Sequence, residues 1–309
     1  MKSNWPKNLV KYLVIQFLLS CVQSNIFCQE LENITISNLH LHMDSIASDA
    51  TEGRYPGSTG YMKAANYAVN IFHQAGLKPL CINEKGEKSY FQTVSINNCN
   101  NIIAVVPGTA AALQKEYITV SAHLDHIGKQ GNKIFNGAND DASGCVIILE
   151  VAKAIAMHPL KRSVMFILFT GEEQGLIGSD YFVNNLPVPK ENINININIE
   201  QVGSMHRSFQ GIWAIGYPKF KQDFYNANTI FKNDELKYDS INSMVDIIKD
   251  CDTYSFYCKS IPSVILGSGG FPEHHKVEDK IDLIDFIHLQ KSAILLLSFI
   301  VEIGDKEYK

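Results

Sequence analysis

Glu172 and Glu173 stand side by side at the end of the run Ser163-Val-Met-Phe-Ile-Leu-Phe-Thr-Gly-Glu-Glu. The apolar run predicts a buried strand, and Gly171 breaks it just before the acids. Two carboxylates projected together from the carboxyl end of a strand repel each other, and they lie where α/β sheets build their sites. A divalent metal relieves that repulsion: one acid binds the cation while the other handles a proton on its water. A charged strand-to-helix loop is the competing reading of this segment alone.

Three other segments carry matching chemistry. His123-Leu-Asp125 ends the expected strand Tyr117–His123. Residues two apart on a strand face the same way. Asp125 is therefore expected to accept the hydrogen bond of one ring nitrogen of His123 and leave the other free for a metal; a structural His–Asp pair is the alternative. The turn Asn136-Gly-Ala-Asn-Asp-Asp-Ala-Ser-Gly144 enters a helix that Ser143 is expected to cap. Asp140 and Asp141 there read as helix-dipole partners or, from their place between the other two segments, as part of the same site. In Gly270-Phe-Pro-Glu-His-His-Lys-Val-Glu-Asp279, a histidine followed four residues on by an acid offers a ligand and its orienting partner. Two histidines and several carboxylates gathered at strand ends suit zinc with nitrogen and oxygen ligation.

The elements that must position these groups follow from periodicity. Asn192-Ile-Asn-Ile-Asn-Ile-Asn-Ile-Glu200 alternates strictly, the period of a strand. Its isoleucines share one face, and Asn198 and Glu200 share the other; an edge strand or an inner strand ending at the site fits. Helices are expected at Tyr61–Ala75, from Ser143 to about His158, from about Ser179, and at Lys219–Phe231, Asp252–Lys259 and Ile284–Val301. Further strands are expected at Phe91–Ser95, Asn101–Pro107, Ile212–Gly216 and Ser263–Leu266. This alternation predicts an α/β three-layer sandwich, a mixed and mostly parallel central sheet with helices on both faces.

Taken together, the segments resemble the M28 family of zinc aminopeptidases, the co-catalytic di-zinc exopeptidases with a zinc-peptidase fold. The resemblance runs from Leu39–Leu80, with its Glu-Gly-Arg loop, through HLDHIG, GANDDASG, FTGEEQGLIGS, INIEQVGS, CDTYSFY and HHKVED. It implies two zinc ions per chain. Asp140 bridges them, His123 and Glu200 complete one site, and Glu173 and His275 complete the other. Glu172 is then the general base, and the peptide between Asp140 and Asp141 is cis. Two positions depart from the family pattern. Glu200 stands where aspartate is usual, and its longer arm must still reach the metal. His274 stands where a tyrosine often precedes the last ligand; it either donates to the developing oxyanion in the tyrosine's place or packs beside His275. His40, His42, His126, His158 and His206 lack comparable context and read as surface or packing residues.

The implied activity is removal of N-terminal residues from peptides with a free amino end. Two alternatives share the fold: a glutaminyl cyclase-like single-zinc acyltransferase, and a carboxypeptidase or dipeptidase of the same clan. Gln174-Gly-Leu-Ile-Gly-Ser179 after the paired acids resembles the peptidases rather than the cyclases.

With 309 residues, 46% hydrophobic and 19% charged, the chain has the composition of a globular protein. A formal charge of −5 without a Lys/Arg cluster gives no footprint for nucleic acid. Lys2, Lys7 and Lys11 flank the apolar run Tyr12–Val22, which is too short to span a bilayer comfortably, and small or polar residues lead to Cys28. This pattern predicts a signal peptide over 1–28 and a single peptidase domain over 29–309. The exported chain is expected to be secreted or periplasmic and monomeric, without a membrane span. Leu18-Leu-Ser-Cys21 resembles a lipobox, which makes a lipid anchor at Cys21 the competing form of export. Of the remaining five cysteines, Cys81 and Cys99 lie on segments that neighbouring strands could bring together for a disulfide, whereas Cys251 and Cys258 are too far apart on a helix to bridge.

Overall fold

The structure, a computed structural model, describes residues 33–94, 99–204 and 211–306. The segment read as a signal peptide, with Cys21 and Cys28, and His206 lie outside these residues. Nine strands form the main sheet: β1 Lys78–Pro79, β2 Phe91–Val94, β3 Cys99–Val106, β4 Tyr117–His123, β5 Ser163–Phe169, β6 Ile193–Glu200, β7 Ile212–Gly216, β8 Leu236–Ser240 and β9 Ser263–Gly267. Their order is β1-β3-β5-β4-β6-β9-β7-β8, with β2 alongside β3. The four inner strands β5, β4, β6 and β9 are parallel, so their carboxyl ends share one edge. Antiparallel pairing begins at β3 on one side and β7 on the other.

Helices cover both faces, as an α/β sandwich requires. On one face α1 (Ile36–Ala47), α2 (Thr59–Gln74), α3 (Ser143–Met157), α5 (Lys221–Asn226) and α8 (Phe286–Gly304) bury Phe72, Ile148, Phe224 and Phe299 against Val120, Phe166 and Ile197. On the other, α4 (Ile177–Asn184) and α7 (Thr253–Cys258) pack Phe182 and Phe256 on Ile103, Ile167 and Phe169. The one-turn α6 (Val245–Ile248) closes a smaller cluster with Ile215 and Ile265. α8 is long and apolar enough to cross a membrane, with a mean hydropathy of 1.6, but it lies largely buried in the core.

The alternating segment is an inner strand rather than an edge. Ile195, Ile197 and Ile199 join the core under α3 and α8, whereas Ile193, before a register shift, packs on the other face with Phe182 and Phe256. Asn196 and Asn198 meet the hydroxyls of β4: Thr119 Oγ1 donates to Asn196 Oδ1 at 2.8 Å and Ser121 Oγ donates to Asn198 Oδ1 at 2.8 Å. This buried ladder explains why strict alternation occurs where both faces are covered.

Elsewhere the expectations shift. The helix expected over Lys219–Phe231 ends at Asn226, and β8, which was not expected, follows. Cys81 and Cys99 are buried on strands of different sheets, and no disulfide joins the described cysteines. Ser143 already has helical backbone and donates to Asn139 O. Asp141 performs the capping role, accepting Gly144 N–H at 3.1 Å.

Candidate metal centre

Parallel register delivers the first half of the site. His123 pairs with Phe169 across β4 and β5, and Ser121 pairs with Asn198 across β4 and β6, which brings Glu200 level with His123 at the carboxyl edge. Beyond Phe169 the chain turns through Gly171 at a positive φ of 69° and presents Glu172 and Glu173. The turn Ala138–Ala142, with a cis peptide between Asp140 and Asp141, enters α3 at the same edge. The loop after β9 returns over the edge and supplies His274 and His275.

Asp140 lies between two clusters and offers one oxygen to each. Its Oδ1 is 3.1 Å from His123 Nε2, which is itself 3.5 Å from Glu200 Oε1 and 3.9 Å from Glu172 Oε2. Its Oδ2 is 3.0 Å from His274 Nε2 and 3.3 Å from His275 Nε2. Glu173 Oε2 lies 3.0 Å from His275 Nε2 and Oε1 lies 2.6 Å from His126 Nδ1. Most of these spacings approach the roughly 3.3 Å between donors that share a tetrahedral cation at about 2.0–2.2 Å. His123 Nε2, Asp140 Oδ2, Glu173 Oε1 and Glu200 Oε2 are buried without a hydrogen-bond partner. Buried polar atoms are rarely left so, and their convergence fits a bound metal. All five residues expected as ligands, with Glu172, therefore meet at one place, and the longer side chain of Glu200 reaches His123.

The adjacent acids are electrostatically unlike. Burial pushes the Glu172 carboxyl up to about 10, with Glu200 and Asp252 adding to the rise and His123 opposing it. Burial would raise Glu173 too, but the imidazoles of His126 and His275 outweigh it and hold that carboxyl down at about 2. Asp140 is also held well below the carboxylate range, by His123, His274 and His275 against burial. Environments that drive neighbouring carboxyls apart mark a proton-handling acid beside an ionised one.

Two acids behave differently from expectation. Past His123 the chain has left the strand, so alternation no longer applies. The Nδ1 of His123 faces the Asp125 backbone carbonyl at 3.1 Å, while the Asp125 carboxylate lies 3.9 Å away. That carboxylate instead accepts Glu172 N–H at 3.2 Å and Glu173 N–H at 3.4 Å. Asp279 likewise does not orient His275; its carboxylate accepts Asn139 N–H at 2.8 Å and Asp140 N–H at 3.1 Å. Each buried acid fastens the backbone beneath a pair of site residues.

Arg54, from the Glu-Gly-Arg loop, completes the scaffold. Its guanidinium is fully buried and donates to the carbonyls of Leu124 (2.7 Å), Gly137 (2.8 Å), Asn136 (2.5 Å) and Ile46 (3.2 Å), joining the His123 loop to the Asp140 turn. His126 is fully buried within the centre and not a surface residue. The only hint of it was its place one residue past Asp125. By contrast, His42 is a core histidine bonded to Glu150 and Tyr67, and His40 and His158 are exposed.

Against known proteins, residues 101–300 match the model of peptidase family M28. The chain belongs to peptidase family M28. Leupeptin-inactivating enzyme 1 of Streptomyces exfoliatus is 28% identical over 180 residues, which cover 56% of this chain and 37% of that enzyme. The chain thus spans well under half the length of most of the curated relatives it matches. The zinc aminopeptidase BSAP of Bacillus subtilis superposes with a TM-score of 0.70 at 15% identity, over 89% of this chain and 97% of that one. A glutaminyl cyclase of Bacteroides thetaiotaomicron, bound to N-acetylhistamine, superposes with a TM-score of 0.64 at 18% identity, over 89% and 99%. At these identities the two structures establish the M28 fold alone.

Proposed function

We propose that this M28 chain is a zinc aminopeptidase with two zinc ions, which removes N-terminal residues from peptides. The observation that carries the reading is the division of Asp140 between two clusters, one with His123 and Glu200 and the other with Glu173 and His275. Zinc fits these nitrogen and oxygen donors, and a zinc aminopeptidase shares the fold. Bound there, zinc supplies Lewis acidity to the scissile carbonyl and to the attacking water.

The chain's own groups do the rest. Glu172, whose carboxylate lies beside the metal-side nitrogen of His123 without belonging to the ligand set, takes a proton from water and delivers it to the leaving amine. Asp125 holds the Glu172 backbone in place for both transfers. The carboxylates of the centre receive the substrate's free α-amine. A cavity of about 610 Å³ opens beside them, walled by Leu176, Trp213, Ile215, Ile247 and Ile265. That wall suits an apolar first side chain. The Lys-flanked apolar run before Cys28 supports export, in secreted or periplasmic form.

The cyclase reading is favoured by the shared fold of the Bacteroides glutaminyl cyclase; the second cluster around Glu173 and His275 weighs against a single-zinc site. Hydrolysis of aminoacyl-anilides by the purified chain, with zinc measured on the same sample, tests the proposal. Two zinc ions, cleavage of leucyl-anilide and none of its N-acetylated form are expected. One zinc with ammonia released from an N-terminal glutamine peptide would overturn it.

A further inference from the structure

Two imidazoles of the centre, His274 and His126, stand outside the ligand set that the M28 resemblance implies, and of these only His126 is buried. His126 lies three residues past the end of β4, in a loop that Arg54 ties to the Asp140 turn: His126 N–H donates to Arg54 O at 3.3 Å, and the Arg54 guanidinium donates onward to Gly137 O. Gly137, at a φ of 58°, makes room for the ring, since a Cβ there would fall 2.5 Å from His126 Cγ. The ring is completely buried, and neither of its nitrogens makes a hydrogen bond of acceptable direction. Even so, Nδ1 lies 2.6 Å from Glu173 Oε1 and 3.8 Å from Asp140 Oδ2. A short contact without the direction of a hydrogen bond is the relation of two donors that converge on a third point. The two separations bracket the roughly 3.3 Å that donors around one tetrahedral zinc adopt. An idle buried imidazole would otherwise be a desolvation cost with no return.

We propose that His126 Nδ1 is itself a ligand of the metal held by Asp140, Glu173 and His275. The inference rests on the two-zinc reading and deepens it. The two ions then differ in kind: the His123–Glu200 side has one imidazole, and the Glu173 side has at least two. More neutral nitrogen donors shift that side toward zinc, cobalt, nickel and copper and away from magnesium and calcium.

The test uses the full chain loaded with metal ions and reads ligation rather than turnover. In cadmium-loaded wild-type protein with nitrogen-labelled histidine, NMR should show a one-bond cadmium coupling to the Nδ1 of His126; its absence would overturn the assignment. With cobalt, His126→Asn should bind the first equivalent as the wild type does and the second at least about tenfold more weakly. It should also lose one hyperfine-shifted ring N–H resonance, which removal of a mere neighbour of the ligands would leave in place. An unchanged second equivalent with every shifted resonance retained would contradict the proposal. A wild-type chain that takes up a single equivalent counts instead against the two-zinc reading, and cadmium coupling from that one ion still decides the role of His126.

Discussion

The two halves of the centre are built from different material. His123 and Glu200 project from the ends of adjacent parallel strands, and their backbones are locked by the registers of β4 and β6. Glu173, His274 and His275 come from loops, and the two histidines are about half exposed, at 44% and 48% of the side chain. Strand ends place a side chain through the hydrogen bonds of the whole sheet, whereas loops need dedicated anchors. Those anchors are present as Asp125 under Glu172 and Glu173, Asp279 under Asn139 and Asp140, and Arg54 between the His123 and Asp140 segments. One half is rigid by inheritance from the sheet, and the other by a few buried polar contacts.

Variants that break this arrangement should differ in kind as well as in size. The largest effect is expected at Glu172, the proposed base. Glu172→Gln is nearly isosteric and removes only proton acceptance, so turnover should fall by about 10²- to 10⁴-fold with metal content unchanged. A kcat near that of the wild type would remove Glu172 from the base role. On the strand-built half, Glu200→Ala should lose one ion and most activity, whereas Glu200→Asp should keep both ions, because β6 still aims the shorter arm at His123. An alanine variant that retains two zinc ions in dialysis would show that Glu200 is not a ligand.

The anchors give a smaller effect. Asp279→Asn leaves only one acceptor for the two N–H groups of Asn139 and Asp140, and it should weaken metal binding about 10- to 100-fold. Asp125→Asn should act chiefly on kcat by loosening Glu172. Equal metal affinities in wild type and Asp279→Asn, measured by competition with a chelator, would contradict the anchoring role.

A last effect, on stability rather than on the centre, lies away from both halves. His288, buried and 2.8 Å from Ser268 Oγ, is pushed down to about 4 by burial. Its folded pKa lies below the ordinary 6.5, so the unfolded chain binds the proton more readily. Its contribution to stability is therefore complete above pH 6.5 and declines as pH falls toward 4, by at most about 3 kcal/mol. Urea unfolding of wild type and His288→Asn should diverge across that window, and parallel curves would refute the assignment.

The contrast between the halves also explains what was readable in the sequence. The strict alternation of Asn192–Glu200 and the apolar runs of β4 and β5 identify the inner strands, and with them the carboxyl edge and the positions of His123, Glu172 and Glu200. Alternation ends where the strand ends, so it assigned Asp125 to the ring of His123 when its carboxylate in fact holds the Glu172 and Glu173 backbone. The same limit hid His126, whose burial depends on Arg54 and Gly137 and on no local period. His275 and the sharing of Asp140 rest on the resemblance to the M28 family, since nothing local to Gly270–Asp279 singles out one of two adjacent histidines, and both rings lie against Asp140. The edge strand Leu236-Lys-Tyr-Asp-Ser240 lacks a continuous apolar run and went unseen.

The most direct measurement counts metal ions in the wild type and in Asp140→Ala after exhaustive dialysis, with circular dichroism to verify folding. If Asp140 serves both halves, the wild type holds two zinc ions per chain and the folded variant holds neither tightly. A folded Asp140→Ala protein that keeps two ions, or a wild type that never exceeds one, would contradict the shared centre.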